Sequence, residues 1–299
     1  IYNFTGSFEV NHRKSKKDIH LKDIKFLFSK NFVSDNYDRS QVFNFQSSSW
    51  NLTNSLLTAS IINDQKDKQS LFYANIGNAF RVPSISEFIL NQTQDLISEV
   101  GPIYPEKKTT FELGYKLEHL NPKTKNSYSM IWSYFRYQYV DKIKQIQFSG
   151  SPFKYPINIG NANLSGFDSR LNFKPKIKWI SYTSNFSYYF FSDPLAFQLQ
   201  PDKMIRNIIT IQSKWIDLNF IHRSESSRQI TTISNIGILR SNFLEPITNF
   251  DLTITSNLNF RGLRLSTNFS VRNINNMAQE LEGISLYDRR YLLKFMVSI

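Results

Sequence analysis

Apolar and polar residues alternate along much of this chain. In the segment 111–118, Phe, Leu, Tyr and Leu occupy every second position, and Glu, Gly, Lys and Glu stand between them. The same period of two runs through 250–260 and 263–272. A helix would repeat its apolar positions every three or four residues, so this pattern predicts one-sided β-strands. The runs last about 10 residues, longer than the roughly 5 or 6 of a soluble sandwich and long enough for a tilted strand to cross a bilayer core.

A strand at every such run predicts about 14 strands in all. They lie at residues 1–10, 19–31, 38–48, 50–62, 69–80, 109–119, 126–139, 155–174, 178–191, 203–213, 215–223, 248–260, 263–273 and 289–299.

From residue 69 onward, the connections between these strands alternate between long and short. The long ones are 81–108, 140–154, 192–202, 224–247 and 274–288, and the short ones lie near residues 121–125, 174–176, 213–214 and 261–262. Long loops at one end and tight turns at the other are typical of bacterial outer-membrane barrels, whose long loops lie outside the cell. The pattern therefore predicts an all-β, transmembrane antiparallel β-barrel. With an even strand number, the last strand runs inward and the C-terminus is periplasmic.

Composition narrows the class of protein further. The chain has 299 residues, 36 Lys and Arg against 24 Asp and Glu, and no Cys, which excludes disulfide scaffolds and thiol-based metal sites. It has 26 Phe, 15 Tyr and 4 Trp, too many aromatic residues for a disordered chain. No stretch approaches the roughly 18 to 20 apolar residues of a spanning helix. The mean hydropathy of −0.37 looks soluble only because it averages a lipid-facing and a polar face.

Several large aromatic residues fall near predicted strand ends or turns. Such positions are where the aromatic girdles of membrane barrels lie, at the two lipid–water interfaces. The alternative is that these rings simply pack across the sheet, because aromatic residues are good strand formers. The residues concerned are Tyr128, Trp132, Tyr134, Trp179, Tyr182 and Trp215.

The segment Tyr73–Phe88 resembles the Y-x-x-x-G-x-x-F-R-x-P-S-x-x-E-L stretch of TonB-dependent outer-membrane receptors. Four more segments follow in that family's order. Residues 111–116 resemble its x-E-x-G-x-K strand, 158–168 its N-x-G-x-A-x-x-x-G-x-E strand with Asp in place of the usual Glu, and 268–276 its N-x-x-N-L-x-N segment. Residues 288–299 resemble its closing strand, although this one ends in Ile where most members end in Phe or Trp. The resemblance covers residues 70–299.

Members of that family have a plugged barrel of about 22 strands. A globular plug and a motif grasped by the inner-membrane TonB protein precede the barrel. Neither is found in this sequence, and no signal peptide is visible at Ile1. About 14 strands would be the C-terminal part of such a barrel. We therefore expect residues 1–299 to form one barrel domain, as a fragment, a truncated or mature product, or half of a split assembly.

No catalytic centre is predicted. The sequence has no phosphate-binding glycine loop, no nucleophile elbow and no kinase signature. His12, His20, His119 and His222 stand alone, without a partner at metal-ligand spacing. We therefore expect no enzymatic activity, no cofactor and no bound metal.

Two carboxylates are candidate site residues, because the alternation points both Glu112 and Asp168 into the lumen. The resemblance implies that acidic residues at these positions pair with arginines of the plug, and we hypothesise the same role for this pair. The alternative is that each carboxylate is solvated or pairs across strands, with Lys116 or Arg170.

The basic excess allows several partners. Arg13, Lys14, Lys16 and Lys17 lie in the first predicted outer loop, and Lys107 and Lys108 lie near a strand start. These residues could bind lipopolysaccharide phosphates, capture an anionic ligand such as a ferric chelate, or form a solvated loop tip. Nucleic acid is disfavoured, because the lysines are spread over loops and match no known module.

The resemblance implies energised uptake of a scarce nutrient that is too large for porins, in the outer membrane of a Gram-negative bacterium. The nutrient could be an iron–siderophore complex, a cobalamin or an oligosaccharide. Expected partners are the plug and the TonB system, outer-membrane lipid and lipopolysaccharide, and a small-molecule ligand held by the long loops and polar lumen residues. Two alternatives remain: a self-contained passive pore or fatty-acid channel of about 14 strands, and a soluble all-β binding module.

Overall fold

The structure is a computed structural model. It describes residues 2–11, 19–35, 48–65, 67–84, 86–87, 102–120, 126–147, 154–176, 179–233, 239–260, 263–281 and 284–298. Within these ranges the chain is almost entirely β, with one large antiparallel sheet and three small two-stranded sheets. In these ranges, no helix has the length and apolar character needed to cross a membrane.

Thirteen strands form the large sheet. They are β1 (Tyr2–Asn11), β2 (Ile19–Asp35), β3 (Ser48–Gln65), β4 (Lys68–Arg81), β5 (Glu106–Leu120), β6 (Ser127–Val140), β9 (Ala162–Lys174), β10 (Ile180–Phe191), β11 (Lys203–Gln212), β12 (Ile216–Glu225), β15 (Ile247–Phe260), β16 (Leu263–Arg272) and β19 (Arg290–Ser298). Each strand pairs with the next one in this order, so the sheet is a meander that runs from β1 to β19.

Three hairpins lie within the longer connections of this meander. They are formed by β7 (Ile143–Gln147) with β8 (Lys154–Asn158), β13 (Arg228–Ile233) with β14 (Leu239–Leu244), and β17 (Ala278–Leu281) with β18 (Ile284–Tyr287). The connection between β10 and β11 contains a single 3-10 turn, Pro194–Phe197, which begins after the capping residue Asp193.

The connections alternate between long and short through the whole sheet, as the sequence predicts from residue 69 onward. At the long-loop end lie residues 36–47, 82–105, 141–161, 192–202, 226–246 and 273–289. At the short-turn end lie residues 12–18, 66–67, 121–126, 175–179, 213–215 and 261–262. All three hairpins and the Pro194–Phe197 turn are therefore at the long-loop end.

The strand expected at 38–48 lies outside the described residues, apart from Ser48, which begins β3. Since Asp35 of β2 is directly opposite Ser48, β2 and β3 are neighbours and the sheet has 13 strands. The connection 12–18, which contains the basic run predicted in an outer loop, consequently joins β1 and β2 at the short-turn end.

The strand predicted at 155–174 is two strands, β8 and β9. Gly160, between them, has a φ of +78°, a backbone conformation that residues with a Cβ rarely adopt and that ends the extended run. The phase of the alternation changes beside this break: the apolar residues are odd-numbered at 155–159, even-numbered at 162–164 and odd-numbered again from Phe167.

Residues directly opposite each other on neighbouring strands share a side of the sheet. The apolar residues of successive strands therefore form one face of the sheet, and the polar residues form the other. Phe72, Tyr115 and Trp132 follow one another across β4, β5 and β6 on the apolar face. Their ring centroids are 4.4 Å and 5.7 Å apart in succession. Phe72 is nevertheless 56% exposed, and such large exposed apolar residues recur along this face. A continuous apolar surface of this extent is what a lipid-facing wall presents.

Candidate functional site

Charged and amide side chains are concentrated on the polar face, which bears a cavity of about 930 Å³. Five arginines and four carboxylates line it: Arg170, Arg206, Arg223, Arg272 and Arg290 with Asp168, Glu225, Asp251 and Asp288. The volume falls within the range of small-molecule sites. This cavity is therefore the candidate functional site.

Glu112, one of the two predicted site residues, is on the polar face of β5. Its carboxylate accepts hydrogen bonds from Tyr73 Oη at 3.0 Å and from Asn75 Nδ2 at 3.3 Å. Lys116, considered as its cross-strand partner, instead pairs with Glu118 at 2.8 Å. Glu112 is thus oriented by two neutral donors, and its negative charge is not matched by a cation among the described residues.

Asp168, the second predicted site residue, is on β9 and lines the cavity itself. It stands directly opposite Ser133 of β6 and Ser187 of β10. Arg170 donates through Nε to Asn185 Oδ1 at 2.8 Å and so contacts the next strand. The structure places Glu112 and Asp168 on the same face, with β6 between their strands.

The segment after β4 is held by a buried carboxylate, Glu87, at the long-loop end. Arg81 Nη1 is 3.0 Å from Glu87 Oε2, and Ser84 donates its backbone N–H to the same oxygen at 2.8 Å. Glu87 N–H donates back to Ser84 Oγ at 3.3 Å, which completes a reciprocal capping box. Burial would raise the pKa of Glu87, but the bonds from Ser84 and Arg81 outweigh it and hold this pKa below its ordinary value.

A second buried carboxylate, Glu106 at the start of β5, continues this network. It accepts the backbone N–H of Ile143 at 2.9 Å and lies 3.7 Å from Arg81 Nε and 3.8 Å from Lys142 Nζ. Burial lowers the pKa of Lys142, and the nearby Glu106 opposes that change. The network therefore joins the ends of β4, β5 and β6 and the start of the β7–β8 hairpin.

The loop before β5 is fixed by Asn158, the first residue of the N-x-G motif. Its side chain accepts from Tyr104 N at 2.7 Å and donates to the carbonyl oxygens of Tyr104 at 3.0 Å and Asp141 at 2.6 Å. Lys142 and Gly160 add a backbone hydrogen bond of 3.1 Å beside it. The motif thus holds two long connections together.

The loop between β10 and β11 folds onto aromatic residues of the polar face. Phe197 and Ala196 are buried against Phe135, Ala162 and Leu164. Phe197 stacks on Phe191 with centroids 5.2 Å apart, and Lys142 Nζ lies 5.0 Å from the Phe197 ring. The loop also meets the β13–β14 hairpin, since Leu199 N donates to Gln229 O at 2.9 Å. Three long connections therefore assemble into one packed group.

A family model described as TonB dependent receptor-like, beta-barrel, matches residues 28–276, which is most of the chain. The chain belongs to the TonB-dependent receptor family. None of the curated proteins matches the sequence.

Solved receptors show the same fold. The ferric citrate transporter FecA in its unliganded form has a TM-score of 0.67 at 12% identity, over 98% of this chain and 44% of that one. The copper transporter OprC has a TM-score of 0.64 at 15% identity, over 93% of this chain and 42% of that one. The FrpB iron transporter from Neisseria meningitidis has a TM-score of 0.54 at 12% identity, over 97% of this chain and 54% of that one.

At these identities the likeness concerns the fold, an antiparallel β-barrel of the outer membrane. This receptor chain spans about half the length of the solved receptors that it matches. The expected class of fold is confirmed, and the cavity lies on the polar face of its sheet.

Two histidines of the receptor have described side chains, and both are on the apolar face. His119 stacks on Tyr128 with centroids 4.9 Å apart. His222 contacts Asn207 Nδ2 at 3.1 Å and stacks on Phe250 at 4.9 Å. His12 lies outside the described residues, as does the side chain of His20. In the described part of the receptor, no group of three or more His, Asp or Glu could hold a metal ion.

The cavity arginines are the site residues that sequence reasoning missed. The alternation does place Arg206 and Arg223 on the polar face, but it gives no register between strands. That register puts them directly opposite each other on β11 and β12. This pairing could have been predicted by aligning the predicted strands from their short turns, because a tight turn fixes the register of the two strands it joins.

Proposed function

We propose that this receptor takes up a scarce nutrient too large for porins, across the outer membrane of a Gram-negative bacterium, with energy from the TonB system of the inner membrane. One arrangement carries the proposal: the face with the polar cavity also carries, toward the long-loop end, the side chains against which a packed group of loops lies. The loops receive the nutrient, and the polar wall below lines its path.

The proposed orientation puts the long-loop end outside the cell and the C-terminus in the periplasm. The apolar face contacts lipid and lipopolysaccharide. In support, Trp179 and Trp215 lie beside connections of the short-turn end and are 50% and 56% exposed. Tyr128 and Tyr182 lie near the same strand ends, on the apolar face. We propose that these rings form the periplasmic girdle, with Trp132 deeper and Tyr134 near mid-strand.

Among the nutrients considered, a metal chelate is favoured. The solved proteins of similar fold are named as transporters of copper, iron and ferric citrate and as siderophore receptors. The cavity has the volume of a chelate-sized ligand. An iron–siderophore complex is therefore our first candidate, ahead of a cobalamin or an oligosaccharide.

The plug contact is proposed for Glu112 and Asp168. Glu112 is held by neutral donors only, and Asp168 lines the cavity, so each offers a carboxylate to a cation that enters the lumen. Plug arginines would supply that cation, because Arg and carboxylate pair through strong charge-assisted hydrogen bonds.

The test is uptake of ⁵⁵Fe chelates by cells that carry this receptor in place of their own iron receptors. We expect accumulation in a tonB-positive strain and its loss in an isogenic tonB deletion. Heat-modifiable gel migration in both strains controls for equal amounts of folded barrel. Equal, energy-independent accumulation in both strains would instead identify a passive pore and contradict the proposal.

A further inference from the structure

A group of polar side chains interrupts the apolar face of the sheet on β10, β11 and β12. Ser184 is directly opposite Asn207, and Asn207 is directly opposite His222. All three are on the apolar face, because Tyr182, two residues before Ser184, is opposite Ile209 in the same register. Together with Tyr182, these three residues form what we call the polar patch.

Apolar side chains flank the polar patch along its strands. On this face of β11, Asn207 stands between Ile205 and Ile209, and both isoleucines are exposed. Phe186 and Phe220, which neighbour the patch on β10 and β12, are exposed as well. Polar side chains on the membrane side of a spanning segment are costly and rare, and they commonly mark a functional contact. The patch therefore requires an explanation other than contact with lipid.

Internal hydrogen bonds hold the polar patch in one arrangement. Asn207 Oδ1 accepts from Ser184 Oγ at 2.8 Å and from Tyr182 Oη at 2.9 Å. Asn207 Nδ2 lies 3.1 Å from His222 Nδ1. Because an amide nitrogen only donates, Nδ1 is the acceptor and the ring proton of His222 is on Nε2. The ring also stacks on Phe250, with centroids 4.9 Å apart. The patch is thus a preorganised network.

This network leaves both donors and acceptors unfilled. The second N–H of Asn207 and the Nε2–H of His222 have no acceptor in the part of the chain that the structure describes. The hydroxyl oxygens of Ser184 and Tyr182 donate to Asn207, and each keeps lone pairs that can accept. An acyl chain satisfies neither kind of group, and a donor without an acceptor costs free energy in an apolar medium. The patch is therefore incomplete against lipid alone.

A second copy of this receptor supplies both kinds of missing group. Ser184 and His222 are two strand spacings apart, roughly 10 Å at about 4.8 Å each, and Asn207 is on the strand between them. In a twofold dimer the same surface of each copy contacts the other, so a patch that holds both donors and acceptors is complementary to itself. Ser, Asn and His side chains join spanning segments in this way within membranes.

We propose that the polar patch is the centre of a twofold interface between two copies of this receptor within the outer membrane. The N–H groups of Asn207 and His222 of one copy donate to hydroxyl groups of the other, and Ile205 and Ile209 pack around them. Because the patch and the cavity are on opposite faces of the sheet, each copy keeps its own cavity. The inference rests on the apolar face being the membrane face and is independent of the nutrient.

Disulfide crosslinking in isolated outer membranes is the first test. The chain has no Cys, so Ile205→Cys places a single thiol beside the polar patch. An oxidant should join two Ile205→Cys chains into a covalent homodimer. Phe72→Cys is the matched control, because Phe72 is exposed on the same face but on β4, four strands from β10. It should remain monomeric.

Sedimentation equilibrium of the protein in detergent is the second test, because it gives the dimer dissociation constant. Asn207→Leu and His222→Phe each remove an outward donor and should weaken the dimer roughly eightfold. One hydrogen bond between membrane segments contributes about threefold, and each substitution is present in both copies. Heat-modifiable gel migration should persist in both variants. Thr210→Val, on the opposite face of β11, is the control and should dimerise like the wild type.

The inference is overturned if the wild type is monomeric and Ile205→Cys does not crosslink, or if Phe72→Cys crosslinks as readily. It is also overturned if a different protein, and not a second copy, is joined to Ile205→Cys. Should the patch only stabilise the wall, Asn207→Leu and His222→Phe will lower the heat-modifiability midpoint and leave dimerisation unchanged. Failure of the uptake proposal is a separate result, because neither test depends on a nutrient or on TonB.

Discussion

At the scale of single residues, the motif positions of this receptor are explained by close contacts on the polar face. A Cβ on Gly114 would lie 2.0 Å from Tyr73 Cζ, so the glycine makes room for the ring that donates to Glu112. A Cβ on Gly166 would lie 2.5 Å from the carbonyl oxygen of Tyr188 and 2.9 Å from Phe135 Cζ. The E-x-G spacing therefore joins a carboxylate and the space for its hydrogen-bond donor, and the sequence alone shows only the spacing.

Gly114→Ala should displace the Tyr73 ring and destabilise the barrel by about 1–3 kcal/mol, as overpacking does. The measurement is the temperature midpoint of heat-modifiable gel migration. The double variant Gly114→Ala with Tyr73→Ser should recover the midpoint in part, and Ser129→Ala, on the same face of β6, serves as the mild control. A midpoint unchanged by Gly114→Ala would refute the contact.

Replacing Glu112 and Asp168 together by Ala should weaken plug retention, because both proposed partners of the plug arginines are lost. Protease accessibility of the plug and chelate uptake are the two measurements. Glu118→Ala is the matched control, since Glu118 is a carboxylate of the same face that pairs with Lys116. No change in either measurement would end the plug-contact hypothesis.

The capping box at Ser84 and Glu87 should be sensitive to acid. The folded pKa of Glu87 lies below its ordinary value, so its bonds contribute stability above that ordinary value and lose it as the pH falls through the lowered pKa. The Ser84 backbone amide resonance should therefore titrate with a midpoint below about 4.3, the ordinary pKa of Glu. In Glu87→Gln the titration should vanish, and its persistence would assign it to another group.

At the scale of elements, the period of two identifies most strands of the sheet, because one-sided exposure imposes alternation on every strand. Register depends on contacts distant in sequence and escapes this pattern. Gly160 divides a predicted strand by one backbone angle. The β13–β14 hairpin lies in a stretch that the alternation assigns to a loop, since a hairpin outside the membrane needs no lipid-facing side.

The packed group of long loops should depend on Phe197 more than the strands do. Phe197→Ala removes the ring buried against Phe135 and Leu164, a change that typically costs about 3–5 kcal/mol in a core. We expect faster proteolysis within 192–202 with an unchanged heat-modifiability midpoint. Leu199→Ala, an exposed residue of the same loop, should leave both measurements unaltered. A lowered midpoint in Phe197→Ala would mean that the loops stabilise the barrel itself.

At the scale of the whole molecule, two kinds of asymmetry define the receptor: apolar against polar between the faces, and long against short between the ends. We propose that the first separates lipid from lumen and that the second separates the side that meets the nutrient from the periplasm. The sequence predicts both, because each is a repeated pattern. It does not predict that Arg206 and Arg223 lie directly opposite each other, because that depends on the register of β11 and β12.

The most direct test of the proposed orientation is to determine which end of the sheet can be labelled from outside intact cells. The chain has no Cys, so single cysteines at Ser227, in a long connection, and at Asp67, in a short turn, are the only labelled sites. A maleimide coupled to a polymer too large for porins should label Ser227→Cys on intact cells, and Asp67→Cys only after the outer membrane is permeabilised. If Asp67→Cys is labelled on intact cells and Ser227→Cys is not, the proposed orientation is wrong.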